Sequence, residues 1–522
     1  MAKLKTYLFS LLGLGFLLRA IVAIRPLKFI DGLTIPDDSY LSLTLARNIA
    51  KGLGPLYGDA YTNGFQPLYV LLISPVYHYF AHDLITPVHL ALLFSAAVDT
   101  ATLYIIYRLV KDISQAEITP FIAVFAWAIN PYVISTANNG LDTTLSLFFI
   151  TLSYFFYTKF IKPNFEKTRL LIWFVFGVLL GLTMLARIDN AILVAAFILA
   201  VLYSDYNVGS DLRRSAGHLT MIGTGALFAV LPWIIYIYQY TGDLIPVSGR
   251  AIRYLSLSWC DHYPTLTNMY IPMIKLGAGS VINQNLTYII LLILLVLTIL
   301  LTKGKNRFDE LFERLKAHNI VLSFVCLLFF SYTLYIFGIW YSKRYFFPSA
   351  FLFLLYIATL FDIIYMLLES RRLKNIFTSC VLLFLMAAAG LSPSFRALYF
   401  SINTNEQGYM NFGLWAKDTF PDSTVIGSCQ TGALAYFAQN LKVVNLDGVV
   451  NKPCYERLIR REAIDYMKDK RIAYFIDWTN NLEFIQRESR DLTPDDLEPL
   501  GKIDQFKSWN HDWHVFKVKL AK

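Results

Sequence analysis

Pro36-Asp37-Asp38-Ser39-Tyr40-Leu41 places two adjacent carboxylates just past Tyr7 to Ile24, an apolar run long enough to cross a bilayer. A carboxylate at a membrane edge is costly without partners, so one that is kept there marks a functional site. Two side by side repel, which drives their pKa values apart and leaves one suited to act as a base. Ser39 to Lys51 then has the spacing of an amphipathic helix lying along the surface. Capping that helix is the ordinary structural role for an Asp at this point. One of the pair can cap; the second is harder to explain that way.

The surrounding chain sets the class. Its 522 residues are 56% hydrophobic and 16% charged, with a mean hydropathy of +0.49, too apolar for one soluble core. Forty Phe and 33 Tyr suit lipid-facing helices and interfacial belts. The net charge of +9 resides in short loops between apolar runs, which is the positive-inside pattern and not a nucleic-acid patch. Runs of spanning length lie at 7–24, 88–110, 119–136, 142–158, 170–186, 189–204, 217–237, 286–302, 320–338, 347–368 and 376–392, about eleven in all. The first follows Lys3 and Lys5 and has no clear cleavage site after it, so it reads as a retained anchor with a cytoplasmic N-terminus. The basic loops around Lys111, 159–169, Arg213-Arg214, 303–316 and 371–374 then all face the cytoplasm. Pro67 to Phe80 is apolar but short and holds Pro67 and Pro75; a crossing there would invert every later loop, so it is expected in the interface or re-entrant.

The same parity puts loop 26–66, the turn Asn138–Asp142, Arg187 and Asp189, loop 240–285, Tyr341–Tyr345 and everything after Pro393 on the outer face. Polar residues capable of chemistry therefore gather on one side. Charges return after 392, and Thr424–Ser428, Lys442–Leu446, Arg471–Asp477 and Trp513–Val518 have strand periodicity, with helices around 430–439 and 455–469. No P-loop or dinucleotide fingerprint accompanies Gly427 or Gly432. The expected fold is an α-helical polytopic membrane domain, 1–392, whose outer loop 26–87 carries the acidic pair, followed by a small extracytoplasmic α/β domain, 393–522.

Each candidate has a plain structural alternative. Asp142, after Asn139-Gly140, either caps the next helix or faces a site. Arg187 and Asp189 interrupt two apolar runs and either pair only with each other at the interface or face a site. Arg250, Arg253, Lys343 and Arg344 are outer cations against the charge bias; phosphate is the partner that explains them, snorkelling to headgroups the alternative. His78, His82 and His262 have no fixed mutual spacing, so no metal is assigned. Cys429 and Cys454 share an oxidising compartment and are open to pairing, with the geometry undetermined by sequence.

Asp37-Asp38-Ser39-Tyr40, Ala46-Arg47-Asn48-Ile49-Ala50-Lys51-Gly52 and Asn63-Gly64-Phe65-Gln66-Pro67-Leu68 resemble the first outer loop of the GT-C superfamily, the polyprenyl-phosphate-sugar-dependent glycosyltransferases. These include protein O-mannosyltransferases, aminoarabinose transferases and arabinofuranosyltransferases. Asp142 resembles the second outer acidic position, and Arg344-Tyr345-Phe346-Phe347-Pro348 the Arg-Tyr-x-x-Pro before a late span. Gln66 departs from the His or Pro common before Pro-Leu. Val444-Asn445-Leu446-Asp447-Gly448 is similar to the outer domain of uncharacterised bacterial members.

The resemblance implies a cell-membrane enzyme that moves a sugar from a polyprenyl-phosphate donor to a glycan, lipid or protein acceptor. Asp37 would be the base, with Asp38 and Asp142 beside it. Arg344, Lys343, Arg250 and Arg253 would hold the donor phosphate, and Tyr40, Asn63, Gln66, Arg187 and Asp189 the substrates. Polyprenyl phosphate is already a good leaving group, so no cofactor is required, although some members use a divalent metal. A lipid-linked-sugar transporter and a non-catalytic scaffold are the rivals; a transporter is expected to carry ionisable residues near mid-membrane.

Overall fold

The computed structural model describes residues 2–80, 82–207, 209, 212–301, 306–338, 342–402, 408–493, 495–508 and 511–519. Among these, eight helices are long and apolar enough to cross a bilayer, from Leu4–Ala23 and Thr86–Ile113 to Pro348–Leu367 and Arg371–Leu391. The chain is a multi-pass membrane protein. All eleven expected runs are helical, yet not all are straight spans. Thr119–Ile129 and Pro131–Ala137 meet at 62°, Leu266–Gln284 and Leu286–Leu301 at 76°, and Leu170–Ala186 has only 17 residues.

The first break has a clear cause. Pro131 cannot donate to the helix before it, and Asn130 starts a new one by accepting the Tyr132 and Val133 amides. Arg19, fully buried, donates to the Ala128 carbonyl at 2.9 Å and pairs with Asp99 at 2.5 Å. A buried charge survives here because carbonyls at the helix end and a carboxylate surround it. This pair is an exception to the expected collection of ionisable groups at span ends. Its ligands are the protein's own backbone and side chains.

Pro67–Tyr79 forms a 13-residue helix that packs against helix Asp37–Ala50. Gln66 at its start accepts the Ile188 amide, and Tyr77 near its end bonds Tyr436 of the C-terminal domain at 2.9 Å. The opposite ends of the spans are joined by Lys159 with Asp112 and by Arg314 with Asp362, so the basic loops cluster away from that domain.

Pro393–Phe400 is helical and leans on the first span, where Arg25 donates to the Ala397, Leu398 and Ser401 carbonyls. Beyond it a five-stranded sheet runs in the order Lys442–Asn445, Val425–Ser428, Tyr474–Trp478, His511–Val518, Leu497–Ser508. The first three strands are parallel and the last two antiparallel. Leu497–Ser508 escaped the sequence pattern because Pro499, Gly501 and alternating charges break its periodicity, as suits an edge strand. The expected helix 455–469 is two, Lys452–Leu458 and Ala463–Asp469, separated by Arg461 at φ 59°. All five cysteines are free, including the buried Cys429 and Cys454.

Helix Asp37–Ala50 docks the C-terminal domain. Asp37 accepts the Gly432 and Ala433 amides at 2.7 and 2.8 Å, and Arg47 donates to the Tyr436 and Ala435 carbonyls at 2.9 and 3.1 Å. An anion thus sits at the start of helix Gly432–Phe437 and a cation at its end, both matched to the helix dipole. The fit is close: a Cβ on Gly432 would lie 2.0 Å from the Asp37 carbonyl oxygen, and one on Gly64 2.2 Å from that of Val449.

Candidate active site

Helical periodicity divides the residues of Asp37–Ala50. Tyr40 and Arg47 are buried toward the C-terminal domain, whereas Asp38, Leu41 and Ser42 face a cavity of about 580 Å³ between that domain and the membrane helices. Asp37 stands on the boundary. It is 7% exposed, lines the cavity, and is tied to the two amides just described. Burial, with Asp38 and Asp477 adding repulsion, pushes its pKa up to about 7 against the pull of the Ala433 and Gly432 amides.

Asp38 pairs with Arg344 at 2.9 Å. Burial alone would weaken the Arg344 charge, but the neighbouring Asp38 carboxylate overcomes this and holds its pKa above the ordinary value. Both Arg344 and Arg187 lie over the Tyr345 ring, at 5.3 and 4.9 Å from its centroid, and Tyr332 stacks on that ring at 4.1 Å. Arg187 also holds Asp189 at 2.9 Å and Asp142 at 3.2 Å. Asp142 is itself buried, which raises its pKa despite Arg187 and Arg344. Two guanidiniums are thereby fixed on one aromatic platform.

The remaining arginines come from helix Val247–Ser258. Arg250 pairs with Asp243 at 2.7 Å, and Arg253 donates to the Tyr335 carbonyl at 3.0 Å while lying over its ring. Leu41, Ile192, Ile252, Leu257 and Ile336 supply an apolar side to the same cavity.

Asp37, Asp38, Gln66, Asp142, Arg187, Asp189, Arg250, Arg253 and Arg344 all line this one space. Two expected substrate contacts do not. Tyr40 is fully buried and donates to Asp31 at 2.8 Å, because its position on the helix faces the docked domain. Asn63 clasps loop 240–285, donating to Asp243 and Ile245 and accepting from the Val247 amide. The Lys343 side chain lies outside the described residues. Cavity-lining groups that the sequence did not single out are Tyr332, Gln430, Thr431, Asn445 and Asp447. Only Asn445 and Asp447 had a signal, the resemblance of Val444–Gly448 to the outer domain of bacterial members.

Residues 74–236 match the family model of the dolichyl-phosphate-mannose-protein mannosyltransferases, and residues 398–518 that of a domain of unknown function. The chain also superposes on the apo oligosaccharyltransferase of Archaeoglobus fulgidus over 95% of its length and 73% of the other, with a TM-score of 0.59 at 13% identity. This is a GT-C glycosyltransferase fold. A second GT-C structure, ArnT from Cupriavidus metallidurans bound to undecaprenyl phosphate, matches over 98% of both chains at 10% identity and a TM-score of 0.53. No curated protein matches the sequence. In this fold the carboxylates and arginines share one cavity with an apolar side, walled in part by the C-terminal domain.

Proposed function

We propose that the protein transfers a sugar from a polyprenyl-phosphate carrier to a hydroxyl of a glycan, lipid or protein on the extracytoplasmic face of the cell membrane, with its N-terminus in the cytoplasm. The observation that carries this reading is the convergence of Asp37, Asp38, Arg187 and Arg344 on one cavity that also has an apolar side. A lipid-anchored donor needs an apolar approach, cations for its phosphate and a base next to them.

In the proposed step Asp37 takes the proton of the acceptor hydroxyl. The freed oxygen forms a bond to the anomeric carbon as the bond from that carbon to the phosphate oxygen breaks. The electron pair leaves with the lipid phosphate, whose charge falls to Arg344, held in place by Asp38, with Arg187 alongside. Each Asp37 oxygen accepts one amide and keeps a second lone pair for the hydroxyl. The arginines supply the positive charge in this step, so it requires no cofactor; a divalent metal is left unassigned.

Purified protein incubated with a panel of polyprenyl-phosphate sugars tests the reaction class. Release of lipid phosphate together with a new glycosidic bond is expected. Movement of lipid-linked sugar across sealed vesicles without any new bond would replace the enzyme with a transporter.

A further inference from the structure

The cavity is divided by charge. Its four arginines, Arg187, Arg250, Arg253 and Arg344, all belong to the membrane part and loop 240–285. Among the described residues the C-terminal domain adds no cation to the lining; its contributions include Gln430, Thr431, Asn445 and Asp447. Gln430 and Asp447 stand just past the carboxyl ends of the neighbouring parallel strands Val425–Ser428 and Lys442–Asn445. That is the end of a parallel α/β sheet at which ligands bind.

The surrounding loops are rigid. Asn445 accepts the Gly448 amide and donates to Thr431, and Asp447 Oδ1 accepts the Val449 amide at 2.8 Å. Among the described residues, Asp38, Asp142 and Asp189 each have an arginine partner, whereas Asp447 has no cation. A carboxyl group without a cation, lining the same cavity as the carboxamide of Gln430, offers hydrogen bonds to hydroxyls together with that amide, and when ionised it repels anions. A phosphate held by the arginines leaves the part of the cavity lined by Gln430 and Asp447 to the incoming nucleophile.

Resting on the glycosyl-transfer reading above, we propose that Asp447, with Gln430, is the acceptor-binding wall of the site and selects a neutral, polyhydroxylated sugar acceptor over an anionic one. The C-terminal domain is then the part of the enzyme that decides what is glycosylated. Asp447 is a binding residue here and takes no part in the displacement.

Asp447→Asn is the probe, because its remaining oxygen still accepts the Val449 amide and preserves the turn. The acceptors are neutral trisaccharides of mannose, glucose and galactose and their monophosphate esters. Wild type and variant are assayed for transfer and, without acceptor, for slow release of lipid phosphate from the donor. The expected result is a KM for neutral trisaccharide raised about tenfold or more in Asp447→Asn and in Gln430→Ala, a larger change than any fall in acceptor-free release. Phosphorylated trisaccharides are expected to be poor acceptors for wild type and better ones for Asp447→Lys. An unchanged acceptor KM in both neutral variants overturns the proposal, as does a wild type that uses the esters as well as the neutral sugars. Lipid-phosphate release without use of any trisaccharide overturns the acceptor assignment alone; absence of release from every donor removes the glycosyl-transfer reading and this one with it.

Discussion

Asp38 and Arg344 are 306 residues apart in the chain and 2.9 Å apart in space. The pair joins the first outer helix to the threshold of a late span and places the acidic motif and the outer cations in one electrostatic unit. It also assigns different work to neighbouring aspartates. Asp38 holds an arginine; Asp37, one residue earlier, turns toward the amides of the docked domain.

Replacing Arg344 tests that unit. Arg344→Ala is expected to lower kcat by about 10²–10³, the usual loss when a group that stabilises developing charge is removed. Arg344→Lys keeps the charge but not the planar fork, so it recovers only part of the rate. Asp38→Asn is expected to lose less than either. Steady-state kinetics with a polyprenyl-phosphate sugar separates the three.

Gly432→Ala is expected to loosen the C-terminal domain, since a methyl group there meets the Asp37 backbone at 2.0 Å. A clash of this kind costs about 1–3 kcal/mol. Faster limited proteolysis between the membrane part and residue 409, with the spans intact, is the readout. An unchanged cleavage rate shows that the Asp37 contact does not hold the domain.

Stability should fall as pH rises from about 4 to about 7. Burial pushes the pKa values of Asp31, Asp37 and Asp447 up to about 7 from 3.8. Each binds its proton more tightly when folded than when unfolded. Their contribution is thus complete below 3.8 and lost as pH climbs through about 7. The groups repel one another, so a broad transition is expected. Thermal unfolding measured across this range checks the sign; a melting temperature that rises with pH contradicts it.

Washing the protein with a chelator is expected to leave transfer unchanged within about twofold, because Arg344 and Arg187 carry the phosphate charge in the proposed step. Loss of activity that added magnesium or manganese restores would assign part of that charge to a metal.

The membrane part was legible because hydropathy and loop charge act locally, and each of the eleven apolar runs became helix. What failed were decisions made by tertiary contact. Tyr40 looked as available as Asp38 on an amphipathic helix, and only the docked domain shows which face it fills. Asp37 was read as a cap for its own helix or as a base. It caps a different helix, 395 residues away, and no local pattern encodes that. Asp447 was visible only within the Val444–Gly448 resemblance and had no charge context until the structure brought the arginines to the same cavity. The edge strand Leu497–Ser508 buries Leu497 and Ile503 but, among its described side chains, no alternating series between them, so it lacks the alternation by which strands are recognised.

The pH dependence of kcat/KM for wild type and Asp37→Asn bears most directly on the central claim that Asp37 accepts the proton in glycosyl transfer. Wild-type activity should rise with pH through an apparent pKa near 7, where Asp37 loses its proton. Asp37→Asn should be slower by about 10² or more, with that acidic limb gone. A variant that retains the wild-type rate, or the same limb at a lower rate, contradicts the account.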